Sequence, residues 1–173
     1  MIEDLVNGGI FGPTLCGKTT LAKKLSMHWF RAKQRRTLVL DPYLDRWGEH
    51  ATVFHTNQQV EFWSKVWSER GCLVIVDEAA STISRDTELV PAFTSLRHND
   101  HRFLVIGHNG VDLLPSMRHA LHYAFLFRQS DPACKVWVDE FAQTQIGACS
   151  QLGQYEFLYV RRFQPPQRFK TTL

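Results

Sequence analysis

A chain of 173 residues, 44% of them hydrophobic, is long enough to bury one central sheet and too short for two domains of ordinary size. With 20 Lys and Arg against 17 Asp and Glu, the formal charge is +3, so contact with nucleic acid would have to come from local patches or from several subunits together. No apolar run approaches membrane-spanning length, Met1-Ile2-Glu3-Asp4 is acidic where a signal peptide would be basic, and Cys16, Cys72, Cys134 and Cys149 show no paired spacing; a soluble chain with reduced thiols and no disulfides is expected.

In chain order, the short apolar run 8–11 leads into Gly12-Pro13-Thr14-Leu15-Cys16-Gly17-Lys18-Thr19, a full match to the phosphate-binding pattern GxxxxGK[ST]. A helix is predicted over 20–33, with Leu21, Leu25, His28 and Trp29 on its apolar side. Strands are predicted over 37–41 and 51–55, then a helix over 58–70 whose apolar face would be Val60, Phe62, Trp63, Val66 and Trp67. The run Cys72-Leu73-Val74-Ile75-Val76 has the character of a strand covered on both faces and ends in Asp77-Glu78. Beyond it the pattern predicts a helix over 88–98, a strand over 102–107, a short helix over 114–121, a strand over 123–127, a helix over 131–150 and a strand over 155–160. One domain over 1–163 and an extended tail over 164–173 are expected. Strands alternating with helices predict an α/β fold of three layers around a mostly parallel central sheet.

The chemistry begins at the glycine-rich loop. Gly12 and Gly17 let backbone N–H groups turn toward phosphate oxygens, and the following helix adds the positive end of its dipole, so Gly12, Pro13, Thr14, Leu15, Cys16, Gly17, Lys18, Thr19 and Thr20 are the expected nucleotide contacts. Lys18 would reach the β and γ phosphates of ATP, and the hydroxyl of Thr19 would ligate Mg²⁺. Asp77 would be the second metal ligand, and Glu78 would orient and polarise the attacking water, at the sheet edge where open parallel sheets bind their ligands. Two strand-like runs intervene between the loop and Asp77-Glu78, which fits the P-loop class with an additional strand and a catalytic glutamate and disfavours kinases. In that order the strand 102–107 would lie between the two and end in a polar sensor, for which His108 and Asn109 are the candidates.

Together, Gly12 to Thr19, Leu40-Asp41-Pro42, Leu73 to Glu78, and the stretch from Leu96-Arg97-His98 through Gly107-His108-Asn109 to Leu114-Pro115-Ser116-Met117-Arg118 resemble the FtsK/HerA superfamily of DNA-pumping ATPases. Within it they resemble the genome-packaging ATPases of tailless icosahedral viruses with an internal membrane. The likeness covers roughly residues 8–128 and departs at the sensor, where the family usually has glutamine. It implies a homo-oligomeric ring such as a hexamer, double-stranded DNA as partner, and docking on capsid or portal-vertex proteins or at a viral membrane, with no membrane segment of its own. The place of action would be the host cytoplasm, with association to the virion. A motor of this kind needs an arginine from the neighbouring subunit; Arg97 is favoured over Arg118 and Arg128. The segment Ser81-Thr82-Ile83-Ser84-Arg85 would face the central channel, with Ser81, Thr82 and Arg85 on DNA phosphates.

Other features have plainer readings. The cations Lys23, Lys24, Arg31, Lys33, Arg35 and Arg36 complement a helix end as well as they would a nucleic acid. The pairs His98 and His101, and His119 and His122, lack partners that would complete a tetrahedral zinc set. Tyr43 and Trp47 are candidates to stack on adenine, against ordinary packing. Competing functions are a related motor for conjugation or filamentous phage export, a small-molecule kinase using the stretch 41–46, and a nucleotide-switched binding module; Glu78 speaks against the last two.

Overall fold

The computed structural model describes residues 6–83 and 87–171, which form a sheet of eight strands with helices on both faces. The strands are β1 (Asn7–Phe11), β2 (Thr37–Leu40), β3 (Ala51–Phe54), β4 (Leu73–Val76), β5 (Arg102–Gly107), β6 (Tyr123–Phe127), β7 (Glu156–Arg161) and β8 (Gln164–Lys170). The helices are α1 (Lys18–Lys33), α2 (Gln59–Ser68), α3 (Ala79–Thr82), α4 (Val90–Ser95), α5 (Pro115–His119) and α6 (Asp131–Phe141). Across the sheet the order is β3-β2-β4-β5-β1-β6-β7-β8, and the first six of these strands run parallel. β5 lies between β1 and β4, as the strand count implies, with Ile10 opposite Ile106 and Ile75 opposite Leu104.

Side-chain alternation along the buried strands divides the core in two. Ile10, Val39, Ile75, Leu104 and Phe125 meet Leu21, Ala22 and Trp29 of α1 on one face. Phe11, Val74, Val76, Val105 and Leu126 face the other side, against Phe62 and Val66 of α2, Phe93 of α4 and Trp137 of α6. These are the three layers of a P-loop NTPase fold. Because β1, β4, β5 and β6 all point the same way, their carboxyl ends gather the phosphate loop, the Asp77-Glu78 pair and the residues after β5 and β6 along one edge.

Several expectations are corrected by packing. Val60 and Trp67 are 86% and 45% exposed, and His28 is exposed, because their helices bury a narrower stripe than the apolar count suggested. The helix expected over 88–98 is α4 alone, with Pro91 in its first turn, flanked by 3-10 turns Thr87–Leu89 and Leu96–Asn99. That over 131–150 stops at Phe141, where Ala142 takes a left-handed conformation, and a 3-10 run Thr144–Gln151 folds back on α6. This return brings Cys149 against Cys134, and the two form a disulfide with Cα atoms 6.3 Å apart, contrary to the expectation of four reduced thiols. Cys16 and Cys72 are free. The segment after residue 163 is extended and pairs antiparallel with β7 as β8. No helix among the described residues is long and apolar enough to cross a membrane.

Candidate functional site

The phosphate loop leaves β1 at Phe11 and stays anchored to β5, since Gly12 N–H donates to the carbonyl of Gly107 at 3.3 Å. Gly17, at φ +104, makes the turn into α1 in a conformation that L side chains rarely adopt. Lys18 folds back over the loop, its Nζ donating to the carbonyls of Gly12 and Pro13, both at 2.9 Å. The ammonium is therefore already held above the loop, where the charge of a polyphosphate would fall.

At the end of β4, Asp77 is buried, its Oδ2 3.3 Å from Thr19 Oγ1 and its Oδ1 accepting the Glu78 N–H at 2.8 Å. Burial pushes the Asp77 carboxyl up to about 6, and the neighbouring Asp41 and Glu78 add to the rise against the opposing hydrogen bonds. Asp41 is itself held by three donors, accepting from Tyr43 N–H at 2.8 Å, Asp45 N–H at 3.0 Å and Trp47 Nε1–H at 3.0 Å. An oxygen pair from a hydroxyl and a crowded carboxylate is the donor chemistry that Mg²⁺ takes, and a divalent ion there would relieve the electrostatic crowding of Asp77. Thr19 and Asp77 therefore fit the expected metal.

Glu78 follows in the left-handed region at φ 54, a strained placement for a non-glycine residue and one that recurs at functional sites. Its carboxylate is met by the ring of His108 from the end of β5, with Nε2 2.7 Å from Oε1. Of the two sensor candidates, His108 is thus the one that touches Glu78, while Asn109 faces a neighbouring cavity. Asp112, which the sequence reading passed over, fixes both: its Oδ2 accepts the N–H groups of His108 at 2.9 Å and Asn109 at 2.7 Å. The spacing of Asn109 and Asp112 is a capping box and could have been recognised as one.

Two cavities meet over this ground. One of about 400 Å³ holds Lys18, Thr19, Asp77, Glu78 and the exposed Tyr43; one of about 810 Å³ holds Pro13, Asn109, Arg128 and Gln129, and both are bordered by Thr14 and His108. Trp47 is 4% exposed with its indole on Asp41, so of the two aromatic candidates for a base only Tyr43 reaches a cavity. Tyr155, also unanticipated, places its ring beside Gly17, 3.4 Å from where a Cβ would stand.

The arginines separate cleanly. Arg118 is committed to the carbonyls of Gly110 at 2.9 Å and Leu113 at 2.7 Å. Arg97 is exposed at the amino ends of the strands, in a cleft with Asn7 and His122, on the edge opposite the phosphate loop. Arg128 is exposed at the loop edge itself. Of the residues expected on DNA, Ser81 is exposed, Thr82 is buried with its hydroxyl donating to the carbonyls of Asp77 and Glu78 at 3.2 and 3.0 Å, and Arg85 lies outside the described residues. His101 belongs to the core, its Nδ1 accepting the Cys72 N–H at 3.0 Å and its Nε2 2.9 Å from the Val66 carbonyl.

Neither the protein-family models nor the curated protein sequences contain a match to this chain. Solved structures do. The genome packaging NTPase of Sulfolobus turreted icosahedral virus 2, in complex with ATP-gammaS, superposes with a TM-score of 0.81 at 18% identity, over 100% of both chains. VirB4 of Thermoanaerobacter pseudethanolicus gives 0.75 at 10% identity over 96% of this chain and 89% of that one. The N-terminal domain of zonular occludens toxin from Neisseria meningitidis gives 0.64 at 15% identity over 98% and 94%. The chain shares with these proteins the fold of a P-loop NTPase, from its first described strand to its last.

Proposed function

We propose that this chain is an ATP hydrolase that acts as a ring-forming motor and drives double-stranded DNA into a preformed viral shell. The observation that carries the hydrolase reading is the convergence of three strand ends: Lys18 over the loop, Thr19 on Asp77 at 3.3 Å, and Glu78 held by His108 at 2.7 Å. Lys18 neutralises charge on the β and γ phosphates. Thr19 and Asp77 would hold Mg²⁺, which supplies charge neutralisation between those phosphates when bound. Glu78 orients a water and takes its proton as the water oxygen bonds to the terminal phosphorus and the bridging oxygen departs with its electron pair on the β phosphate. A kinase would instead have to exclude the water that Glu78 would activate.

The packaging reading is supported by end-to-end similarity to a viral packaging NTPase and by the FtsK/HerA-like motifs of the sequence. It carries with it a homo-oligomeric ring, DNA contact through Ser81 and its neighbours, docking on capsid or portal-vertex proteins or a viral membrane, and action in the host cytoplasm and on the virion. Similarity to VirB4 favours DNA export as the second reading. The test is ATP turnover with and without long double-stranded DNA, with Lys18→Ala as the inactive control. A several-fold rise with DNA is expected. Turnover that responds to a small hydroxyl acceptor and ignores DNA would overturn the motor reading.

A further inference from the structure

Two residues beyond the end of β6 line the larger cavity beside the phosphate loop. Phe127, the last residue of β6, packs so closely on the loop that a Cβ on Gly12 would stand 2.6 Å from its own Cβ. Arg128 comes next and lines the 810 Å³ cavity with Pro13, Thr14, His108 and Asn109. It is exposed and makes no ion pair or hydrogen bond among the described residues. Gln129 follows, 7% exposed and lining the same cavity. The orientation of its amide is fixed, because Oε1 accepts the Trp137 indole N–H at 3.3 Å; Nε2 is left as a buried donor with no partner. A buried amide donor is ordinarily paired; this one has almost no accessible surface, so it would meet an anionic ligand at the phosphate loop through a small shift of Gln129 toward the cavity. Asp131 also lines the cavity, so the cleft is not a general sink for anions, and Arg128 is its permanently charged cation.

We propose that Arg128 and Gln129 contact the terminal phosphate of the bound nucleoside triphosphate from within the same subunit. Arg128 neutralises charge that develops on the phosphoryl oxygens, and Gln129 donates to one of them through Nε2. The inference rests on the nucleotide-binding reading of the loop. It differs from the expectation of an arginine supplied by a neighbour: Arg97, on the opposite edge of the sheet, cannot reach its own subunit's phosphate loop, whereas Arg128 borders it.

The experiment compares the parent with Arg128→Ala, Arg128→Lys and Gln129→Glu, the last keeping an acceptor for Trp137 while removing the free donor. Three quantities are read: turnover of ATP, affinity for ADP, and affinity for a non-hydrolysable ATP analogue. Arg128→Ala is expected to lower turnover about 10²-fold or more, as loss of a charge-stabilising group does. It should weaken the analogue about tenfold while leaving ADP within about twofold. Arg128→Lys should recover part of the turnover, and Gln129→Glu should weaken the analogue more than ADP. Mixing Arg128→Ala with Glu78→Gln should restore nothing, since each subunit lacks one half of a site that must be whole in one chain. Recovery in that mixture, or normal turnover of Arg128→Ala, or equal weakening of ADP and analogue, would overturn the proposal. If the parent itself does no better than Lys18→Ala, the hydrolase reading fails, and the ADP-against-analogue comparison still decides the contact.

Discussion

Asp77 shows how a single side chain can be held in a charged state that a proton or a cation relieves. Its carboxyl, raised to about 6 chiefly by burial, favours the protonated form in the folded protein more than in the unfolded chain. The stability this contributes is fully present below the ordinary carboxylate range near 4 and is lost as pH rises through about 6, an effect of about 3 kcal/mol between the two limits. In EDTA at pH 7.5, Asp77→Asn should therefore melt several degrees above the parent, and most of the gap, though not all, should be gone by pH 4.5. Thermal unfolding of both proteins at the two pH values checks this; equal melting points at pH 7.5 would remove the strain assigned to Asp77. At this scale the sequence was most informative where chemistry is contiguous. Lys18, Thr19, Asp77 and Glu78 belong to short motifs whose spacing is their signature. Asp112, Gln129 and Tyr155 reach the site through the fold, and nothing local in Gln129 or Tyr155 announces it.

The strand β1 carries two adjacent glycines ahead of the phosphate loop, and rings occupy the space their side chains would have needed. A Cβ on Gly8 would stand 2.1 Å from Tyr123 Cζ, and one on Gly9 2.2 Å from Phe11 Cε2. Tyr123 is buried, so Gly8→Ala should destabilise the protein by about 1–3 kcal/mol through overpacking. Gly147→Ala, at a position with nothing within 4 Å, is the matched control and should change the denaturant midpoint little. A midpoint for Gly8→Ala equal to that of the control would show that the sheet gives way more easily than its packing implies. Parallel strands were legible as unbroken apolar runs because both their faces are covered. Helix ends and partial faces were less so: the left-handed stop at Ala142 and the exposure of Val60 and Trp67 depend on what each helix packs against. The pairing of Cys134 with Cys149 likewise arises from the return of the chain over α6, which spacing alone does not reveal.

Taken whole, the molecule has two chemically distinct edges, with the phosphate loop at the carboxyl ends of the strands and Arg97 among Asn7, His122 and Arg162 at the amino ends. If Arg97 serves a phosphate, that phosphate belongs to a neighbour, and a head-to-tail contact of this kind repeats into a ring or a filament. Turnover per subunit should then rise with protein concentration for the parent, while Arg97→Ala should lack that rise and match the parent at high dilution. Steady-state rates across a dilution series, read beside sedimentation, test it; a deficit of Arg97→Ala that persists at high dilution would place the effect inside one subunit. The place of β5 between β1 and β4 was readable from the sequence of motifs, whereas the opposition of these edges emerges only once every strand has a direction. One residue spans the elements that meet at the loop edge. Trp137 is fully buried, its ring centroid 4.4 Å from that of Phe11 just before the loop, its indole N–H on Gln129, and its Cζ2 3.0 Å from where a Cβ on Gly110 would stand, just after the sensor. Trp137 is thus a native fluorophore in touch with the loop, the sensor and the β6 end at once, and with the other four tryptophans replaced, the colour of its emission would offer a label-free record of what the site is holding.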